Sequence, residues 1–281
     1  MYIDSVMNYT GSKFKLLEQI LPEMDYSKKY FVDLFTGGGS VFINVLDKYD
    51  KILVNDIISD LIGIHKKLLE SDDIINDIKK ISIDKSDDKG FYDLRESYNR
   101  DKSPEKLWAL MLSSTNNMMR FNQKFEYNQS FGKRSLNDNI LKKIDLYKNH
   151  VRKYRDKIHF TSKNFYDIDI SKPSMVYLDP PYSQIKNDDG TPSNKKISEA
   201  GYNCYYSKED DIRLYNYCKD LDDRGSSFML SGVLYHNGNT SWLLDKLIND
   251  GFKYRELDYN YNKVSRKDVN KNTMEIIVKN Y

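Results

Sequence analysis

Met175-Val176-Tyr177-Leu178-Asp179-Pro180-Pro181-Tyr182 is an apolar run that stops abruptly on a charge and two prolines. A short apolar run bounded by turn residues reads as a buried strand. Proline has no N–H to give to a ladder, so two in succession end the strand there. The turn leaves one carboxylate, prolyl carbonyls and one aromatic ring at the carboxyl end of the strand. In open α/β sheets that edge is where ligands bind. An acceptor pair beside a flat ring suits a planar base that carries an exocyclic amine. Taken alone, these four residues leave open a plainer alternative, a loop that happens to contain Asp, Pro and Tyr.

Working outward, Tyr30 to Phe35, Ile52 to Asn55 and Ser227 to Leu230 also read as buried strands, and Glu275 to Lys279 as a closing one. Helical periodicity falls at Lys13 to Leu21, Ser40 to Leu46, Leu61 to Leu69 and Glu209 to Leu221. Strands alternating with helices predict an α/β fold with a mostly parallel sheet. The stretch from about Ile57 to Phe160 differs: it is polar, rich in Lys and Tyr, mostly helical in pattern, and most apolar at Trp108 to Leu112. It reads as a lobe inserted into the α/β domain. Ser183 to Tyr202 has almost no core residues and is expected to be a mobile loop at the mouth of any site beside Tyr182.

The chain has 281 residues, with 44 Lys+Arg against 42 Asp+Glu and a net charge of +2. Any nucleic-acid surface must therefore come from local clustering. Cys204 and Cys218 have no metal-type spacing and read as reduced thiols of a cytoplasmic protein. No apolar stretch approaches the roughly 20 residues of a membrane span, and the N-terminus does not read as a signal peptide. The four histidines, His65, His150, His159 and His236, are scattered and read as structural or surface residues. No cluster has metal-ligand spacing.

Phe31 to Val41 reads as strand, glycine turn and helix start, with Gly37, Gly38 and Gly39 at its centre. Glycine lets a ligand approach the backbone, and a helix start supplies free N–H groups. Asp56, at the end of the next strand, is 23 positions after Asp33. An acidic residue about 20 positions beyond a glycine turn suits ribose hydroxyls. No GxxxxGK[ST] phosphate cradle and no full GxGxxG spacing is present. The pattern fits a bound nucleoside, while a tight turn in an ordinary α/β sheet is the plainer reading. Lys13 can neutralise a carboxylate, or can be an ordinary surface lysine near a helix start.

Taken in order, Tyr9-Thr10-Gly11-Ser12-Lys13, Asp33-Leu34-Phe35-Thr36-Gly37-Gly38-Gly39-Ser40, Asn55-Asp56, Asp179-Pro180-Pro181-Tyr182 and Tyr202-Asn203 to Tyr206-Ser207 resemble the motifs of Dam-type DNA adenine-N6 methyltransferases. Arg120-Phe121-Asn122 and Phe131-Gly132-Lys133-Arg134 resemble that family's target-recognition signature. The resemblance spans nearly the whole chain. It implies a Rossmann-like methyltransferase sheet at 1–56 and 160–281, with a mostly helical DNA target-recognition domain inserted at 57–159. It implies S-adenosylmethionine as donor and adenine in double-stranded DNA as acceptor. Carried over by position, Tyr9, Thr10, Lys13, Asp33, Phe35, Thr36, Gly37, Gly38, Gly39, Ser40, Asp56, Asn164, Phe165 and Asp179 would bind the cofactor. Asn164 stands where many members have an acidic residue. Met118, Arg120, Asn122, Ser130, Lys133, Arg134 and Tyr202 would contact DNA. Ser130 replaces a proline usual in close relatives, so a GATC-type site is provisional.

The chemistry then follows from the residues. An adenine amine is a poor nucleophile because its lone pair is delocalised. The Asp179 carboxylate and the Pro180 carbonyl can each take one N6–H and turn the lone pair toward the methyl donor, while Tyr182 stacks on the base. The base must leave the duplex stack for this, and Tyr182, Tyr202, Tyr205 and Tyr206 are candidates for the receiving pocket. From Arg120 to Lys157 there are eleven Lys/Arg and four Asp/Glu. That local excess suits phosphate contacts, or else a solvated helical face. Arg120 and Arg134 suit guanine edges, Met118 a thymine methyl, and the lysines from 142 onward the DNA backbone. The competing readings are a catalytically silent DNA-binding relative, an NAD-dependent oxidoreductase, which lacks a hydride-transfer constellation, and a methyltransferase acting on RNA or protein.

Overall fold

A computed structural model describes every residue except 1, 8, 10, 198–205 and 259–272. The chain forms two compact units. The first comprises Met1–Phe14, Thr36–Lys48 and Ile52–Lys163; the second comprises Lys15–Phe35, Tyr49–Lys51 and Asn164–Tyr281. In chain order come α1 (Leu17–Ile20), β1 (Tyr30–Asp33), β2 (Lys51–Asn55), α2 (Ser59–Glu70), α3 (Asp73–Ile81), α4 (Asp88–Arg100), α5 (Pro104–Ser113) and α6 (Asp138–Val151). They are followed by β3 (Ile158–Thr161), β4 (Ser174–Leu178), β5 (Gln184–Lys186), β6 (Pro192–Lys196), α7 (Lys208–Asp223), β7 (Ser227–His236), β8 (Asn239–Thr240), α8 (Trp242–Asn249), β9 (Lys253–Leu257) and β10 (Thr273–Lys279).

The second unit carries the sheet that the Asp-Pro-Pro-Tyr run predicts. β4 is buried along all five residues, as a parallel strand covered on both faces must be. It lies between β1 and β7 and runs parallel to both, with Asp33 opposite Tyr177 and Leu178 opposite Leu230. β10 then pairs antiparallel with β7, and β9 antiparallel with β10. Helices α7 and α8 pack on β7. β7 runs six residues beyond the expected Leu230, to His236. Ser231 and Gly232 interrupt its apolar run, but β10 supplies a ladder partner as far as His236. The exposed strand β9 has only Leu257 buried, so alternation could not reveal it.

In the first unit β2 and β3 pair in parallel, from Ile52 opposite Ile158 to Asn55 opposite Thr161. The polar stretch is mostly helical, as its pattern predicts, apart from the segment between α5 and α6, which holds a single 3₁₀ turn. Its centre is α5, on which α2, α3 and α4 pack. Leu107 to Ser113 are all buried, the signature of a helix covered all round. Pro104 occupies its first turn, and the Ser103 hydroxyl accepts from the Lys106 N–H at 3.3 Å, which fixes where it begins.

Two expectations change. Ser40 to Leu46 is not an α-helix; only Phe42–Asn44 forms a single 3₁₀ turn. Val41, Ile43 and Val45 are β-branched and disfavour helix, and Val45 already leaves it at φ −122°. Ser183 to Tyr202 is not wholly irregular either, because β5 and β6 form an antiparallel hairpin across Gly190, whose φ is +83°. Few core residues hold that hairpin. Instead the Trp242 indole N–H donates to the Gly190 carbonyl at 3.0 Å, and Lys186 pairs with Asp245 at 2.7 Å. Among the described residues no helix is long and apolar enough to cross a membrane.

Candidate active site

In the first unit the glycine turn is shaped by close approach. Gly37 and Gly39 have φ of +50° and +83°, where only glycine is unstrained. A Cβ on Gly37 would fall on the Tyr9 ring, and one on Gly39 on Phe42 and His65. Asp56 is buried; Oδ2 accepts from the Gly37 N–H at 2.9 Å and Oδ1 from the Ile58 N–H at 3.0 Å. Burial raises its pKa above the usual carboxylate range, and those two N–H bonds oppose the rise. Thr36 donates its N–H to the Asn55 carbonyl, and the Gly39 N–H returns to the Thr36 carbonyl. The turn is therefore held by the Asp56 carboxylate and backbone carbonyls, and no helix macrodipole stands behind it. Ser40 Oγ and Ser12 Oγ are 2.7 Å apart, and Lys13 Nζ donates to the Gly11 carbonyl at 3.1 Å. Thr10 lies outside the described residues.

His65, expected to be a structural or surface residue, is a structural support. It is buried, with Nε2 at 3.1 Å from the Gly37 carbonyl and Nδ1 at 2.7 Å from the Tyr147 hydroxyl. A carbonyl can only accept, so Nε2 carries the proton and Tyr147 donates to Nδ1. Burial pushes the imidazole pKa down to about 4, which keeps it neutral. His150 Nε2 likewise donates to the Ile43 carbonyl at 2.7 Å. Tyr147 of α6 thus reaches the glycine turn through His65, and His150 of α6 holds the 3₁₀ turn that follows it.

In the second unit Asp33 ends β1 and is buried. Phe35 packs on Phe165 with ring centroids 5.3 Å apart, and Asn164 immediately precedes the 3₁₀ turn Phe165–Asp167. Asp179, Pro180, Pro181 and Tyr182 follow β4 and are all half-buried. Asp179 Oδ1 accepts from the Ser231 hydroxyl at 3.0 Å. Just after Tyr182, Ser183 Oγ and the Gln184 N–H both donate to Asp211 Oδ2, at 2.8 and 2.7 Å. Asp211 is fully buried in α7, and burial pushes its pKa up to about 6. The sequence signal for it was an acidic residue in register with Leu214, Cys218 and Leu221 on the buried face of α7. Cys218 shares that face; its polar neighbours in sequence point elsewhere. Tyr206 is buried, while Tyr202, Cys204 and Tyr205 lie outside the described residues.

The proposed recognition segment belongs to the first unit. Its backbone doubles back through Thr115 N–H to Ser130 carbonyl and Gly132 N–H to Ser113 carbonyl bonds. Gly132 is required because a Cβ there would overlap the Ser114 carbonyl. Asn122 caps a tight loop, accepting from the Lys124 and Glu126 N–H groups at 2.9 and 3.0 Å. Met118 is half-buried, and Arg120, Ser130, Lys133 and Arg134 are exposed. Arg134 donates to the Asn117 side-chain carbonyl at 3.3 Å, and Ser130 Oγ sits 3.0 Å from Thr115 Oγ1. Asn117, Lys133 and Arg134 line a cavity of about 460 Å³ whose wall includes Trp108 and Met111. The lysines beyond 142 do not all face solvent. Lys148 is buried and paired with Asp72, and Lys143 pairs with Asp4. Arg152 also reaches Asp72 and closes the end of α2 through the Leu68 and Ser71 carbonyls. Lys142, Lys153 and Arg155 are the exposed ones. Among the described residues no group of three or more potential metal ligands occurs.

A family profile described as D12 class N6 adenine-specific DNA methyltransferase matches residues 9–271. The chain is similar to Modification methylase StsI of Streptococcus sanguinis, at 31% identity over 100% of this chain and 43% of the relative. It is also similar to Type II methyltransferase M.FokI of Planomicrobium okeanokoites, at 30% identity over 100% of this chain and 43% of the relative. A third relative, Type II methyltransferase M.MjaIII of Methanocaldococcus jannaschii, is 29% identical over 88% of this chain and 92% of its own. The chain spans less than half the length of the first two.

The Asp211 carboxyl supplies a test of the anchor behind Tyr182. Its folded pKa, about 6, lies above the ordinary 3.8. Its stabilising contribution is therefore complete below about pH 4 and lost as pH rises through about 6. A shift of that size corresponds to roughly 3 kcal/mol. Asp211→Asn cannot titrate, so its melting temperature relative to wild type should be higher at about pH 7.5 than at about pH 5. An offset equal at both pH values would contradict the assignment.

Proposed function

Since the chain belongs to the family of D12 class N6 adenine-specific DNA methyltransferases, we propose that it transfers a methyl group from S-adenosylmethionine to the N6 amine of a flipped-out adenine in double-stranded DNA. The observation that carries this reading is the Asp179 carboxylate, set at the end of a fully buried parallel strand and oriented by the Ser231 hydroxyl. When bound, S-adenosylmethionine supplies a methyl group already activated by a sulfonium. The residues in place suit it. Thr36 Oγ1 is buried in the glycine turn without a hydrogen-bond partner among the described residues, and the acid beside that turn is Asp56. Hydroxyl and carboxylate groups match the hydroxyls of a nucleoside rather than a phosphate. Tyr9, Thr10, Lys13, Asp33, Phe35, the three glycines, Ser40, Asn164 and Phe165 complete the proposed cofactor set.

The protein's own part is acceptance and orientation. The Asp179 carboxylate and the Pro180 carbonyl each take one N6–H, which moves the amine toward tetrahedral geometry and points its lone pair away from the ring. Pro181 keeps the turn rigid, and Tyr182 stacks on the base. Fixed acceptors lower the barrier because they need no reorganisation when charge develops, and holding the reactants in line removes an entropic cost. Residues 57–159 are proposed as the target-recognition domain, with Met118, Arg120, Asn122, Ser130, Lys133, Arg134 and Tyr202 toward DNA. The Dam-type resemblance supports a GATC-type site, with Ser130 as its point of departure. The relatives named as modification methylases support a role in restriction–modification, acting on DNA in the cytoplasm.

Asp179→Ala should lower methyl transfer from labelled donor by at least about 100-fold, with DNA affinity changed by less than about threefold. Activity within about threefold of wild type would refute the acceptor role. For recognition, Arg134→Ala should relax preference at one base pair, at a cost of about 1–3 kcal/mol of discrimination. Lys153→Ala should weaken binding to all sequences alike and flatten its salt dependence. Binding to the site and its single-base variants at two salt concentrations separates them. A uniform loss in Arg134→Ala would make that arginine a backbone clamp.

A further inference from the structure

We propose that Ser231 and Tyr177 form a hydroxyl relay that positions the Asp179 carboxylate for methyl transfer. The sheet register generates it. Leu178 lies opposite Leu230 on the parallel neighbour, so Asp179 and Ser231, each one residue further on, come side by side. Side chains alternate along a strand, which sets Tyr177 on the same face as Asp179. β4 ends at Leu178 because prolines follow, whereas β7 continues, so Ser231 is held by a ladder where Asp179 is not. Ser231 faces Ile277 of β10 and is fully buried, and Tyr177 is buried as well.

The direction of the relay follows from donor counting. The Ser231 hydroxyl has one proton and two acceptors in reach, Asp179 Oδ1 at 3.0 Å and the Leu178 carbonyl at 3.5 Å, and the nearer, charged carboxylate takes it. The Tyr177 hydroxyl, 2.8 Å from Ser231 Oγ, must then donate to it. Burial holds the Tyr177 hydroxyl well above its usual pKa, and the Asp179 and Asp33 charges add to this, so it remains a donor. A Tyr-to-Ser-to-Asp chain fixes both the position of Oδ1 and the rotation of the carboxylate plane. Removing the Ser231 donor takes away one restraint on Oδ1 and shifts the carboxylate plane relative to the amine. Such misplacement lowers turnover more than it lowers binding.

This inference rests on Asp179 as the amine acceptor, and the experiment separates the two. Steady-state methylation is measured for wild type, Ser231→Ala, Ser231→Thr, Tyr177→Phe and Asp179→Ala, alongside melting temperature and affinity for S-adenosylmethionine and DNA. Ser231→Ala should lower kcat by about tenfold or more, with KM for both substrates within about twofold. Ser231→Thr retains the hydroxyl and should recover most of that loss. Tyr177→Phe should give a smaller loss of kcat in the same pattern. If Ser231→Ala is too unstable to assay, the comparison of Ser231→Thr with Tyr177→Phe still decides: equal, near wild-type kcat in both overturns the relay. Full activity in Ser231→Ala with lost activity in Asp179→Ala overturns the relay alone. Full activity in Asp179→Ala overturns the acceptor reading itself.

Discussion

The second unit depends on one constraint: β4 must stop at Leu178. Pro180 and Pro181 have no N–H to give, so the ladder with β1 and β7 cannot continue past that point. β4 is buried along its whole length, which makes its end a fixed point in the sheet. The residues released there are a carboxylate, two rigid rings and a tyrosine. Because β7 runs on beside them, a buried hydroxyl from Ser231 meets the carboxylate. Immediately downstream, Asp211 receives Ser183 and Gln184. The strand end is thus gripped on both sides by side chains from elements that are themselves packed.

The first unit obeys a different constraint, the crowding of a backbone turn. Gly37 to Gly39 have Tyr9, Phe42 and His65 against them where side chains would otherwise stand. The Asp56 carboxylate and the neutral His65 imidazole hold the Gly37 N–H and the Gly37 carbonyl respectively. Tyr147 and His150 of α6 complete that support. The glycine turn and the helical lobe therefore share hydrogen bonds within one compact unit. His65, one of four histidines that the sequence marks as structural or surface residues, is structural: it braces a backbone carbonyl.

Much of this was legible in the residues. Strands β1, β2 and β4 carry dense apolar runs that end on Asp or Asn, and each was visible for that reason. α5 was visible as the most apolar patch of a polar lobe. The remainder was hidden where stabilisation is not apolar. The hairpin β5–β6 is held by an indole N–H and an ion pair from α8, partners more than 50 residues away in sequence. β9 is an exposed edge strand with no alternation to read. The run from Ser40 to Leu46 has helical spacing, but its β-branched residues allow only one 3₁₀ turn. Neither Ser231 nor Asp211 lies in a motif: Ser231 needed the strand register, and Asp211 carried only the weak signal of an acid in helical register with Leu214, Cys218 and Leu221. The positive cluster from Arg120 to Lys157 was partly structural: Lys148 and Arg152 serve Asp72 and the end of α2.

The central claim is that the strand end presents acceptors to an exocyclic adenine amine. Its most direct test is the chemical identity of the product. Duplex DNA is incubated with the purified protein and S-adenosylmethionine bearing an isotopically labelled methyl group, then digested to nucleosides and analysed by mass spectrometry. The account predicts label in N6-methyldeoxyadenosine alone, at a recurrent sequence. Label in a methylated cytosine, or label in protein or RNA with none in DNA, would contradict it.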